Sequence, residues 1–129
     1  MTGARSQLDR RSRDILASVV GAYIRSAVPV SSRQLTQSGG FALSSASLRN
    51  TMADLEDLGY LTHPHASAGR VPTDLGYRLY VRELMPSRPP GFAEKARIES
   101  GLGSEPFEME RFLHATSRVL TELTGEVAV

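Results

Sequence analysis

The chain has 129 residues, of which 40% are hydrophobic and 22% charged, and its formal net charge is +1. That is enough for one modest folded domain with some extra helix, and the composition argues against disorder. Cysteine is absent, which excludes a disulfide framework, a thiolate metal site and a cysteine nucleophile; no apolar run reaches the length needed to cross a bilayer.

The charge is unevenly spread. Residues 1–85 hold ten arginines against seven acids, a net of +3, whereas residues 86–129 hold five bases against seven acids, a net of −2. A basic front half suits a module that meets phosphate. The opening stretch MTGARSQLDRRSRD has no apolar segment of the kind a secretory leader needs, and the absence of cysteine fits a reducing cytosol.

Asp9 is placed to cap a first helix over about 9–26, where Ile15, Leu16, Val19, Val20, Tyr23 and Ile24 recur at helical spacing ahead of Pro29. Ser31 and Gln34 then have capping-box spacing, and Gly39-Gly40 is a stop signal, so a short second helix is predicted over about 31–38. A third helix starts at Ser44 or Ser45 and ends at Gly59, with Leu48, Met52 and Leu55 on one face and Leu58 close to it. YLTHPHASAGRVPT, residues 60–73, reads as a β-hairpin, with extended pieces over about 60–64 and 69–72 around a small-residue tip. Thr73 caps a fourth helix over about 74–85 that carries Leu75, Tyr77, Leu79, Tyr80 and Val81.

The proline-rich MPSRPPGF, residues 85–92, is the clearest boundary. We therefore expect a domain over 1–85, a linker over 86–91 and a helical segment over 92–129. That last segment holds one helix over about 92–101 and another in which Met109, Phe112, Leu113, Thr116, Val119, Leu120 and Leu123 form an apolar stripe. The predicted class is mainly α with a small β-hairpin: a winged helix-turn-helix followed by C-terminal helices.

The third helix is charged against its own dipole. Its start holds serines, Arg49 and Asn50, and its end holds Asp54, Glu56 and Asp57, although acids stabilise a helix N-terminus and cations its C-terminus. A helix whose N-terminal residues face DNA would be built this way. With Leu48, Met52 and Leu55 turned to the core, the opposite face carries Ala46, Asn50 and Ala53, flanked by Ser47 and Arg49. Small alanines let the backbone approach a groove, Asn50 can pair bidentately with adenine, and Arg49 can reach guanine or a phosphate. Ser44, Ser45 and the helix N-terminus suit phosphate oxygens. Arg70, beside Gly69 near the hairpin tip, could enter a minor groove or hold a phosphate, and Arg33 on the second helix could clamp backbone. The competing reading is a solvated polar face on a core helix and ordinary surface arginines.

Other chemistry is thin. His63 and His65 lie two residues apart on one strand and could converge, but no nearby third ligand is evident, and two imidazoles rarely hold zinc. No glycine-rich phosphate loop and no nucleophile–base pattern is present, so neither an enzyme nor a cofactor is expected.

Three stretches carry a resemblance: PVSSRQL (29–35), LSSASLRNTMADLEDLGYL (43–61) and HPHASAGRVPTDLGYRLYV (63–81). They are similar to the heat-inducible transcription repressors of the HrcA family. The resemblance covers about residues 8–85 and continues weakly into FLHATSRVLTELTGEVAV (112–129). It implies a cytoplasmic bacterial repressor of chaperone operons, nucleoid-associated when bound. Such a repressor binds an inverted-repeat operator as a dimer, with the chaperonin GroEL promoting its active state. It also implies DNA contacts at Ser45, Ser47, Arg49 and Asn50, with Arg70 on the wing. Family members are longer and carry a GAF-like dimerisation domain. Residues 92–129 are expected to lead into a truncated form of it, leaving dimerisation weak or lost. The alternative is a winged helix used for protein docking, without operator binding of its own.

Overall fold

The structure, a computed structural model, describes residues 8–38, 40–66, 68–103 and 108–128. The chain divides into two compact units, Met1–Pro86 and Ser87–Val129.

In the first unit, α1 (Arg10–Ser26) begins where the Asp9 carboxylate accepts the Ser12 backbone N–H at 2.7 Å, which satisfies one of the donors every helix leaves open at its start. It ends at Ala27, whose backbone is left-handed at φ 54. α2 (Ser32–Gln37) opens with the expected capping box: Ser31 Oγ accepts from the Gln34 N–H, and Gln34 Oε1 accepts from the Ser31 N–H. α3 (Ser45–Asp57) is capped by Ser44. Its far end is a Schellman turn. Gly59, at φ 86, places its own N–H on the Glu56 carbonyl and the Tyr60 N–H on the Leu55 carbonyl. Ile15, Leu16, Val19 and Val20 of α1 meet Leu48, Met52 and Leu55 of α3 and Leu61 in one core, with Val30, Leu35, Leu79 and Tyr80 closing it. Leu58, expected near that face, is instead 56% exposed, and the chain returns to the core at Leu61 after the turn at Gly59.

The hairpin is short. β1 (Leu61–Thr62) pairs antiparallel with β2 (Val71–Pro72), Leu61 opposite Pro72 and Thr62 opposite Val71. A third piece of backbone joins it. Val30, between α1 and α2, bridges Arg70 with both N–H···O=C bonds, at 2.9 and 2.8 Å. Gly69 makes this approach possible, since a Cβ there would lie 2.5 Å from the carbonyl carbon and oxygen of Val30.

The predicted fourth helix is two pieces. α4 (Asp74–Leu79), capped by Thr73, runs into a π-helical turn over Tyr80–Leu84, closed by the Met85 N–H on the Tyr80 carbonyl at 2.7 Å. A π turn takes up an extra residue and so shifts the helical face of the residues beyond it. Leu79 and Tyr80, where the two pieces join, are buried, while Leu75, ahead of the π turn, and Val81, within it, are exposed. Glu83 in this turn accepts from Arg13 of α1 at 2.9 Å.

The second unit holds α5 (Phe92–Leu102) and α6 (Met109–Thr124). Ahead of α5, Arg88 grips both oxygens of Glu94 at 2.9 and 3.1 Å, and Glu94 also accepts the Gly91 N–H. The guanidinium, with that N–H, holds the Glu94 carboxyl below the usual carboxylate range. α6 packs on α5 through Ala115 and Val119, the latter against Gly101. Met109, Phe112, Leu113 and Leu120 of the predicted stripe are exposed within this unit.

Candidate nucleic-acid interface

Core packing fixes how α3 is turned. Leu48, Met52 and Leu55 have no exposure at all, and Thr51 between them is buried with its hydroxyl on the Ser47 carbonyl. Side chains on a helix advance about 100° per residue, so burying these four turns Ala46, Arg49 and Asn50 outward. All three are exposed, with Ala53 half-buried beside them. Neither Arg49 nor Asn50 has a side-chain hydrogen bond or ion-pair partner among the described residues. They are free donors on a surface whose nearest small neighbour, Ala46, leaves the backbone approachable.

The serines around them are engaged within the protein. Ser44 Oγ accepts the Ser47 N–H at 3.1 Å and donates to Ser47 Oγ at 3.0 Å. Ser45 is half-buried and its hydroxyl lies 3.3 Å from that of Ser32, tying the start of α3 to the start of α2. Ser45 thus links the two helices of the pair, while Ser44 acts within α3. Ser44 and Ser47 share one hydroxyl pair at the exposed end. Arg33, on α2, is exposed.

Arg70 stands apart. Its Nε donates to Glu56 Oε2 at 3.0 Å and its side chain is only 13% exposed. Glu56 lies six residues beyond Asn50 on α3, a rise of about 9 Å. The structure therefore groups Ser44, Ser47, Arg49 and Asn50 at one end of α3 and anchors Arg70 near the other. His63 Nδ1 lies 3.0 Å from the second oxygen of the same carboxylate. Among the described residues, no group of three or more His, Cys, Asp or Glu side chains is placed to hold a metal ion.

Two features escaped the sequence reading: the Val30–Arg70 bridge and the role of Glu56 as a shared acceptor. The one available sign was Gly69 beside Arg70. A glycine at that point allows a close backbone approach, but nothing local names the segment that approaches.

No protein-family model matches the chain. Curated relatives do. The chain is 42% identical over 122 residues to the heat-inducible transcription repressor HrcA of Symbiobacterium thermophilum, covering 95% of this chain and 36% of that protein. It is 43% identical over 119 residues to HrcA of Geobacter sulfurreducens, covering 92% and 35%. The chain is related to the HrcA repressors. HrcA of Xanthomonas campestris pv. campestris is 42% identical over 122 residues, 95% of this chain and 35% of its own length. The chain thus spans about a third of the HrcA proteins it matches, in their N-terminal part. A match of 122 residues out of 129 necessarily takes in α1, the α2–α3 pair and the hairpin. A crystal structure of a hypothetical protein superimposes with a TM-score of 0.70 at 35% identity, over 92% of this chain and 36% of that one.

Proposed function

We propose that this chain reads DNA as the winged-helix part of an HrcA-type transcription repressor, with the first half of α3 in a major groove. The observation that carries the reading is the orientation of α3. Its core face is locked by Leu48, Met52 and Leu55, and this leaves Arg49 and Asn50 exposed, adjacent and without a side-chain partner among the described residues. In this reading Asn50 pairs with a base edge and Arg49 takes a guanine or phosphate. Ser44 and Ser47 offer hydroxyls to the backbone, and Arg33 adds a phosphate contact.

The relatives' name supports heat-inducible repression, and the HrcA resemblance supports an inverted-repeat operator ahead of chaperone genes, read by two copies in the cytoplasm, with GroEL as a partner. Two linked modules bind such a repeat far more tightly than one, because the second contact becomes effectively intramolecular. No described helix is long and apolar enough to cross a membrane.

Fluorescence anisotropy against an inverted-repeat duplex and its scrambled counterpart, at two salt concentrations, tests the reading. Binding should prefer the repeat and weaken steeply with salt. Asn50→Ala should remove the preference at a cost of about 1–3 kcal/mol. Equal or absent binding to both duplexes would overturn it. That result would favour a protein-docking winged helix, a reading supported by the exposed Phe112, Leu113 and Leu120 of α6.

A further inference from the structure

The wing has too little ladder to hold itself in place. Two residue pairs join β1 to β2, and a hairpin of that size is marginal without other support. Beyond the Val30–Arg70 bridge and the buried Leu61, its support includes one carboxylate on α3. His63 directly follows β1, and Arg70 directly precedes β2. Both limbs reach back to Glu56, His63 through Nδ1 to Oε1 and Arg70 through Nε to Oε2, each at 3.0 Å. An ionised carboxylate only accepts, so the His63 hydrogen sits on Nδ1. Both oxygens of Glu56 are thereby occupied, one by each limb. The three side chains are between 13% and 32% exposed, which limits solvent screening of the cluster.

We infer that Glu56 is a positioning residue for DNA recognition. It holds both limbs of the wing against α3 through Arg70 and His63, and so fixes the wing relative to Arg49 and Asn50 without touching nucleic acid. Arg70 belongs to this brace and is not a free phosphate-binding arm: its guanidinium is sequestered on Glu56, and its backbone is tied to Val30. This inference rests on the DNA-reading proposal for its functional consequence but not for its structural content.

The test has a DNA-free arm and a DNA arm, both on the full chain. In the first, amide hydrogen exchange is followed in Glu56→Gln and Arg70→Lys. The Val30 and Arg70 amides, which bond each other's carbonyls, should exchange about tenfold faster or more once the wing is loosened. The amides of Val19 and Val20 in α1 should not change. Unchanged exchange at Val30 and Arg70 overturns the brace. In the second arm, Glu56→Gln and Arg70→Gln should each weaken binding to the inverted-repeat duplex by about tenfold, and the double variant should lose little more, as expected for two members of one interaction. Neither variant should change the slope of affinity against salt. If Arg70→Gln lowers that slope by about one while Glu56→Gln leaves it alone, Arg70 holds a phosphate directly and the brace reading fails. If the unaltered chain binds neither duplex, the DNA-reading proposal fails, and the exchange arm alone still decides the brace.

Discussion

Gly69→Ala is the sharpest probe of how the wing is attached. An added Cβ would sit 2.5 Å from the carbonyl carbon and oxygen of Val30 and 2.9 Å from the Ser31 nitrogen. All three are backbone atoms, so no flexible side chain can swing away to make room. The bridge must open, and with it go the Val30 N–H bond at 2.9 Å and the Arg70 N–H bond at 2.8 Å. Each such bond contributes a net of about 0.5–1.5 kcal/mol, and a buried group left unpaired costs about 1–3 kcal/mol. Val30 is only 3% exposed, so water does not easily replace what its backbone loses. The expected destabilisation is about 2–4 kcal/mol. In a unit of this size that lowers Tm by roughly 10–25 °C. Urea and thermal denaturation followed by helical circular dichroism measure it. Gly40→Ala is the control, because a Cβ at Gly40 meets nothing within 4 Å, and it should stay within about 0.5 kcal/mol of the unaltered chain. Equal stability of the two variants would refute the close-approach argument.

Three other expectations can be checked by the same denaturation measurements. Ala27 is left-handed at φ 54, so Ala27→Gly should stabilise the chain by up to about 1 kcal/mol, the backbone strain relieved less the extra freedom glycine brings to the unfolded state. Leu48→Ala should cost about 2–5 kcal/mol, whereas Leu58→Ala, at a position 56% exposed, should cost well under about 1 kcal/mol. The Ser12 backbone N–H, then its hydroxyl, with a smaller contribution from Arg11, holds the Asp9 carboxyl below its ordinary range. A depressed folded-state value stabilises above the unfolded one and is lost as pH falls through the folded one. Asp9→Ala should therefore be less stable than the unaltered chain at about pH 6, and the gap should close towards about pH 2.

The legible parts of this fold are those whose causes are local. Asp9, Ser31 with Gln34, Ser44 and Thr73 each act within three residues of themselves, so the helix starts could be read directly from residue types. The core face of α3 was equally plain, since Leu48, Met52 and Leu55 repeat with the helical period. What could not be read was long-range. Val30 and Arg70 are forty positions apart and meet as a single bridge, and one residue has no period to detect. Arg70 and Glu56 are fourteen apart, and an arginine beside a hairpin tip is read as exposed unless its acid is known. The π turn over Tyr80–Leu84 has no composition of its own. Of the candidate interface, Arg49 and Asn50 followed from the face of α3, whereas the hydroxyl pairing of Ser45 with Ser32 depended on how α2 crosses it.

The acidic end of α3 can now be divided. All three carboxylates sit where the helix dipole is unfavourable, at a cost of about a few tenths of a kcal/mol each when exposed. Asp54 and Asp57 are exposed, and neither has a side-chain partner among the described residues. In the DNA reading they lie on the turns farthest from the inserted end, where they do least harm to phosphate binding. Glu56 differs in kind. It accepts from His63 and Arg70, so its unfavourable position on the helix is offset by two partners on the wing. A glutamate here and not an aspartate is consistent with that reach, since one more methylene lets a single carboxylate serve both limbs. The helix is thus charged against its dipole for two separate reasons. In the DNA reading the polar start faces a partner outside the chain, whereas one acid at the end is committed to partners within it.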